Sequence, residues 1–123
     1  MAYLSFEDLE VWQKACALAV RVYEVLENCR DFGLKDQMTR SAFSIASNIA
    51  EGAERGSAPD FIRFLHMSKG SVAELRTQLY IACRIKLITD QTQNELITEL
   101  IRISKMTHAL VKSLKPKSLT PKT

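Results

Sequence analysis

Residues 44–57 of this 123-residue chain read SIASNIAEGAERGS, and they contain a helical pattern from which the surrounding fold can be worked out. At about 100° per residue, apolar and short polar side chains fall on opposite sides of one helix, the polar ones within an arc of about 120°. The apolar side comprises Met38, Ala42, Ile45, Ala46, Ile49 and Ala53. The polar arc comprises Gln37, Arg40, Ser41, Ser44, Ser47, Asn48 and Glu51. An amphipathic helix over about residues 35–53 is therefore predicted.

Two glycines and a proline separate this helix from the next one. Gly52 suits the left-handed conformation that ends many helices, and Gly56 keeps the following loop loose. Ser57 then provides an N-cap, with Pro59 in the first turn and Asp60 after it. These signals predict a third helix that begins near Ser57 and continues to about residue 83.

The first and third helices carry more apolar surface than the core of one bundle requires. The first, from an N-cap at Ser5 to about Cys29, has two apolar stripes that together cover roughly 220°. The third has a weaker second stripe, formed by Ile62, His66, Ala73 and Tyr80. Gly70 in its middle costs about 1 kcal/mol relative to Ala, so we expect another backbone to pass close there. A helix that is apolar on two sides has two partners, which indicates self-association.

A fourth helix is predicted from the cap at Thr89 to about Leu114, where Lys115-Pro116-Lys117 ends it. The chain shows no strand pattern and no internal repeat. Four helices joined by short loops predict an all-α fold, an antiparallel up-down-up-down four-helix bundle. We expect residues 1–114 to form the bundle and residues 115–123 to form a short, flexible, disordered basic tail.

The composition indicates a globular helical protein. Hydrophobic residues make up 46% and charged residues 25% of the chain, and no apolar run approaches the ~20 residues of a membrane span. The first residues also lack a signal-peptide pattern, so we expect a cytoplasmic protein without a membrane partner. Cys16, Cys29 and Cys83 have neither zinc-site spacing nor the density of a disulfide framework, and reduced thiols are expected.

Charge is distributed unevenly along the chain. All 14 acidic residues lie at or before Glu99, where 11 Lys and Arg residues oppose them. Six basic residues and no acid follow: Arg102, Lys105, Lys112, Lys115, Lys117 and Lys122. Such an arm could hold an RNA or DNA backbone. The alternative is a solvated tail that favours the dipole at the end of the last helix.

The sequence contains no arrangement that is typical of catalysis, and we expect no enzymatic activity, cofactor or metal. His66 and His108 have basic rather than acidic residues three positions before them, so a Glu-x-x-His di-iron set is excluded. The segment from Gly52 to Gly56 has neither the spacing nor the preceding strand of a phosphate-binding loop. Lys69 and Arg76 are one heptad apart and share a face, but Tyr80 is the only nearby aromatic residue that could stack on a base.

Several motifs resemble the bacterial four-helix-bundle family of 23S rRNA-intervening sequence proteins, over about residues 6–114. They are Phe6, Leu9, Trp12-Gln13-Lys14-Ala15, Gln37, Arg40, Ser44-Ile45, Asn48-Ile49-Ala50-Glu51-Gly52, Phe61, Phe64-Leu65, Gly70-Ser71 and Glu74-Leu75. The resemblance implies a left-handed antiparallel bundle that assembles into a homopentamer. Some members are encoded inside inserts of large-subunit rRNA genes, and related bundles are accessory factors of diversity-generating retroelements. Ser41 and Lys86 depart from the family pattern, and Lys86 stands where Gly is common.

One hypothesis explains the short polar residues of the second helix as a network where helices approach closely. Its members would be Gln37, Arg40, Ser44, Asn48, Glu51 and Glu74, with an Arg40–Glu51 pair fixing the register. The alternative is an ordinary exposed polar face.

Two classes of function follow from these observations. The first is an RNA-binding or ribonucleoprotein accessory module, with phosphates contacted by Arg40, Arg55, Lys69, Arg76, Lys112, Lys115 and Lys117. The second is a homo-oligomeric scaffold that binds a protein partner and has no role with nucleic acid. A small-molecule pocket at the centre of a ring is a third and more distant reading.

Overall fold

The computed structural model describes residues 5–116, and every described element is helical. A short 3-10 helix at Phe6–Asp8 precedes four α-helices. They are α1 (Glu10–Val25), α2 (Phe32–Glu54), α3 (Ala58–Arg84) and α4 (Asp90–Leu114). The prediction of four helices is confirmed, and the predicted tail lies outside the described residues from position 117 onward.

Side-chain caps fix the starts of three of the four α-helices. Asp31, Ser57 and Thr89 each accept a hydrogen bond from a backbone N–H within the first turn of α2, α3 and α4. The predicted caps at Ser57 and Thr89 are confirmed. The predicted start of the first helix at Ser5 is wrong, because Ser5 caps the 3-10 helix and α1 begins after Leu9, whose backbone is extended.

Each helix packs against its neighbours in the chain, and α1 also packs against α4. The two diagonal pairs, α1 with α3 and α2 with α4, make no comparable contact among the described residues. This arrangement is typical of a four-helix bundle, whose hand stays a prediction. The core lies between the four helices, and its fully buried side chains include Met38, Ile45, Ile49, Leu65, Leu75, Leu79, Leu100 and Ile103.

Gly52 has a different role from the predicted one. Helix α2 continues through Gly52 to Glu54, and the glycine with positive φ is Gly56, at 85°. A Cβ on Gly52 would lie 2.6 Å from Cβ of Phe64 on α3, closer than two such carbon atoms can approach. Gly52 is therefore required by the close approach of α2 and α3, and Gly56 turns the chain between them.

The turn after α3 places a lysine in the left-handed conformation. Lys86 has φ of 72°, which glycine adopts more easily than other residues. The N–H of Leu87 donates to the carbonyl of Ala82, and the N–H of Lys86 donates to that of Cys83, as in a Schellman motif. The position at which the family commonly has glycine is thus a left-handed helix cap.

Most of the apolar stripes of α1 are buried within a single chain, and a few members of the predicted stripes remain exposed. Tyr23 on α1 is 54% exposed, and Tyr80 on α3 is 41% exposed. The expectation of a backbone next to Gly70 fails within the chain, because a Cβ there would meet no atom within 4 Å. No helix in the described part is long and apolar enough to cross a membrane.

Candidate nucleic-acid interface

A basic groove runs between α3 and α4. Lys69 and Arg76 line it from α3, seven residues apart and therefore on one face of that helix. From α4 it is lined by Ile101, Ser104, Lys105 and His108, whose spacing of three, four and seven residues also defines one face. Its volume is about 310 Å³. The two helix faces therefore bring three basic side chains, a histidine and a hydroxyl to one place.

No acidic residue lines the groove to balance its charge. Five other arginines of the described chain pair with carboxylates: Arg21 with Glu95, Arg40 with Asp36, Arg55 with Glu51, Arg63 with Asp60, and Arg102 with Glu99. Within residues 5–116, no ion pair joins Lys69, Arg76 or Lys105 to an acid. Their positive charge is consequently available to an anion.

Arg76 is the most constrained of these cations. Its side chain is half-buried, and its Nε atom is buried without a hydrogen-bond partner in the described part of the chain. Buried N–H groups are nearly always hydrogen-bonded, so a group without a partner calls for an explanation. The N–H at Nε of Arg76 is thus a donor that the described part of the chain leaves unsatisfied.

The basic surface continues towards the end of α4. Lys112 lies four residues after His108 and seven after Lys105, on the same side of the helix, and it is exposed. Lys115 is the exposed C-cap residue of α4. Lys117, the last of the predicted phosphate-contacting residues, lies outside the described residues.

The other two candidate cations lie elsewhere, on α2 and in the loop that follows it. Arg40 is exposed and its Nε lies 2.9 Å from Oδ2 of Asp36. Arg55 pairs with Glu51 at 3.6 Å, and its guanidinium carbon lies 4.8 Å from the centre of the Phe64 ring. Neither residue lines the α3–α4 groove. Of the four candidate cations that precede α4 in the chain, the structure therefore brings only Lys69 and Arg76 into one groove.

The predicted polar network is divided between a contact of α2 with α3 and an exposed face. A hydrogen bond of 2.6 Å joins the hydroxyls of Ser44 and Ser71, and Ser68 donates to the carbonyl of Ile45 at 2.9 Å. Asn48 donates to the carbonyl of Ser44 within α2. Ser41, which the sequence pattern placed on the polar arc, is only 4% exposed. Small residues therefore allow α2 and α3 to approach each other closely, but only along one edge of the predicted polar arc.

The remaining network candidates, Gln37, Arg40, Glu51 and Glu74, are exposed. The suggested Arg40–Glu51 pair is wrong for a single chain, because eleven residues separate the two along α2. That is about 16 Å of helix, and each side chain instead pairs with a residue four positions away.

The side formed by α1 and α4 carries charges of both signs. A groove of about 450 Å³ lies there, and its charged lining residues are Glu24, Glu95, Glu99, Lys14 and Arg21. Nη2 of Arg21 lies 2.6 Å from Oε1 of Glu95. Hydrogen bonds from Arg21 and Gln91 lower the pKa of the Glu95 carboxyl. The α1–α4 groove is thus lined by acidic and basic residues together, whereas the α3–α4 groove is lined by basic residues and by no acid.

A pocket of about 540 Å³ lies beside the α3–α4 turn. The Cys83 thiol donates to Oδ1 of Asp90 at 3.1 Å, and this hydrogen bond raises the pKa of the thiol. A thiol that is held protonated is a poor nucleophile. No group of histidine, cysteine and acidic residues in the described range could hold a metal ion.

The sequence does not reveal Ser71 as the partner of Ser44, or Lys105 and His108 as neighbours of Lys69 and Arg76. From the sequence alone, Lys105 belongs to a basic arm and His108 is considered only as a metal ligand. The spacing of Ser104, Lys105 and His108 on one face of α4 is visible in the sequence. The sequence does not show which face of α4 packs against α3.

The fold and the groove define a small all-helical protein with four helices and one basic side. Over residues 7–109, the chain matches the family of 23S rRNA-intervening sequence proteins. It therefore belongs to that family, and the resemblance seen in the sequence is confirmed. A search of curated proteins gave no match.

A solved structure supports the same assignment. The chain is similar to a protein of unknown function from the S23 ribosomal protein family of Bacteroides thetaiotaomicron, with a TM-score of 0.78 and 27% sequence identity. The similarity covers 83% of this chain and 98% of that one.

Proposed function

We propose that this protein is a non-enzymatic, oligomeric bundle that binds RNA and serves as an accessory module of a ribonucleoprotein. The observation that supports this proposal is the unbalanced positive charge of the α3–α4 groove. Lys69, Arg76 and Lys105 have no acidic partner within residues 5–116. Phosphates of a nucleic-acid backbone are anions that such a surface attracts irrespective of sequence.

The distribution of charge gives the proposed binding a direction. Lys112 and Lys115 extend the basic side along α4, whereas Glu24, Glu95 and Glu99 lie by the α1–α4 groove. A polyanion would be attracted more strongly to the α3–α4 groove, which no acid lines, than to the α1–α4 groove, which also contains Lys14 and Arg21. We therefore place RNA across α3 and α4, in contact with the end of α4.

Self-association is the second part of the proposal. Tyr23 on α1 and Phe43 on α2 are 54% and 49% exposed, and another copy of the chain would bury such aromatic surface. We propose the left-handed antiparallel homopentamer that the family resemblance implies, and a cytoplasmic location. The same exposed side chains favour the alternative function, a scaffold that presents repeated copies of one surface to a protein partner.

Size-exclusion chromatography with light scattering separates these two functions. The protein would be prepared once with a high-salt wash and once with a low-salt wash, and absorbance recorded at 260 and 280 nm. A pentameric mass with nucleic acid retained only at low salt supports the RNA-binding ring. A pentamer free of nucleic acid at both salt concentrations favours the scaffold, and a monomer would contradict self-association.

A further inference from the structure

We propose that the α3–α4 groove is a defined phosphate site, in which Arg76 binds one backbone phosphate of a single RNA strand and Lys69 and Lys105 flank it. The inference rests on the proposed RNA binding and sharpens it. Diffuse attraction needs only charge on a surface. A defined site needs donors that are fixed in direction and that already lack an acceptor.

Arg76 meets the requirement for fixed donors. Its Nε is buried and has no partner within the described residues, whereas the Nε of Arg40 contacts the carboxylate of Asp36. The guanidinium is a planar fork of N–H groups that matches the oxygens of a phosphate in pairs. Because the stem of Arg76 is half-buried between two helices, the direction of this fork is restricted before a ligand arrives.

The groove walls contain groups that suit an oxyanion and no group that would repel one. Ser104 contributes a hydroxyl, Lys69 and Lys105 contribute ammonium groups, and His108 contributes an imidazole. Ile101 is the remaining wall residue. No Asp or Glu lines the groove, so an anion entering it would meet hydrogen-bond donors without competition from a carboxylate.

Helix geometry limits how many phosphates such a groove can hold. Lys69 and Arg76 are separated by about 10 Å along α3, and Lys105 and Lys112 by a similar distance along α4. We assign one phosphate to the groove, near Arg76. Neighbouring phosphates of the same strand would lie over the exposed Lys112 and Lys115, which supply charge without a fixed direction.

Two variants of Arg76 separate the effect of its charge from the effect of its planar fork of N–H groups. Replacement of Arg76 by Gln should weaken RNA binding and reduce the dependence of log affinity on log salt by about 0.7, the value of one phosphate contact on a single strand. Arg76→Lys keeps the charge but loses the fork. It should therefore weaken binding about fivefold or more while leaving the salt dependence nearly unchanged.

The first experiment observes the Nε–Hε resonances of the arginines in 15N-labelled full-length protein. Inorganic phosphate and, separately, a short single-stranded RNA oligonucleotide without terminal phosphates are titrated in. We expect the Arg76 resonance to shift saturably with RNA and the Arg63 resonance, whose side chain pairs with Asp60, to remain in place. A shift of Arg76 with inorganic phosphate alone, unaffected by RNA, would overturn the backbone assignment in favour of a free phosphate.

The second experiment measures RNA affinity by fluorescence anisotropy for Arg76→Lys, Arg76→Gln, Lys105→Gln and the control Arg63→Lys. Wild-type affinity in Arg76→Lys would overturn the fixed-fork site while leaving charge-driven RNA binding intact. Saturable phosphate binding at Arg76 in a protein that binds no RNA would instead overturn the proposed function. Lys105 is exposed, so Lys105→Gln tests the site even if the Arg76 variants unfold, and wild-type affinity in that variant contradicts the flanking role.

Discussion

The hydroxyl of Ser44 on α2 lies 2.6 Å from the hydroxyl of Ser71 on α3, and this hydrogen bond is one of the links between the two helices. Each single change to Ala should lower the free energy of unfolding by about 0.5–1.5 kcal/mol, because a half-buried hydroxyl loses its partner. The double variant should lose less than the sum of the two. Urea unfolding at one fixed protein concentration measures this coupling, and strictly additive losses would show that the two hydroxyls act independently.

Gly52 and Gly70 are both helical glycines, but they should respond to alanine in opposite directions. In Gly52→Ala the new Cβ would lie 2.6 Å from Cβ of Phe64, and the strain should destabilise the fold by about 1–3 kcal/mol. Gly70→Ala has open space around it and should gain about 0.4–1 kcal/mol from a better helix former. Thermal unfolding of the two variants measures this difference.

The Gly70 variant also reports on assembly. If Gly70→Ala lowered stability or dissociated an oligomer, a backbone from another copy would have to lie against it. If Gly52→Ala were as stable as the wild type, the close approach of α2 to α3 would be contradicted.

Lys86→Gly should stabilise the protein, because Lys86 holds a left-handed backbone conformation with φ of 72°. The left-handed conformation costs a non-glycine residue roughly 1–2 kcal/mol. We therefore expect the free energy of unfolding of Lys86→Gly to rise by about 1 kcal/mol. Lys86→Ala is the matched control, since it removes the charge but keeps the Cβ. Equal stability of the two variants in urea unfolding would contradict a backbone cost at this position.

Stability should decline in acid partly through Glu95. Its carboxyl has a pKa below the ordinary value of 4.5, chiefly because of the hydrogen bond from Arg21. A depressed folded-state pKa gives a contribution that is fully present above the unfolded pKa and is lost as pH falls through the folded value. Melting temperatures measured from neutral pH down through this range should therefore fall less steeply in Glu95→Gln and in Arg21→Gln than in the wild type. Parallel curves for all three proteins would contradict the linkage.

The sequence predicts the number of helices well because the relevant signals are local. Apolar periodicity places all four helices, and the caps Ser57 and Thr89 begin α3 and α4 as expected. The same local reading fails at Gly52, since a glycine chosen for backbone conformation and one chosen for close packing look identical in a sequence. Only the position of Phe64 on the opposite helix separates the two cases.

The candidate site is less accessible to sequence reasoning for a related reason. Lys69 and Arg76 can be placed on one face of α3 by their spacing, but Lys105 and His108 join them only because α4 turns a particular face towards α3. Ser41 shows the same limit at the scale of one helix. It lies at the edge of the polar arc, and the packing of the bundle buries that edge. The sequence gives the angular position of a residue around its own helix, but it does not give the side from which the neighbouring helix packs.

The most direct test of RNA binding by the basic groove is a comparison of two variants with equal net charge. One replaces Lys69, Arg76 and Lys105 by Gln, and the other replaces Lys14, Lys35 and Arg63 by Gln. Binding of a single-stranded RNA oligonucleotide would be measured by anisotropy across a range of salt concentrations. We expect the groove variant to lose most of its affinity and about 0.7 units of salt dependence, the value for the one phosphate assigned to the groove, and the control to stay close to the wild type. Equal losses in both variants, or no RNA binding by the wild type at low salt, would contradict the proposal.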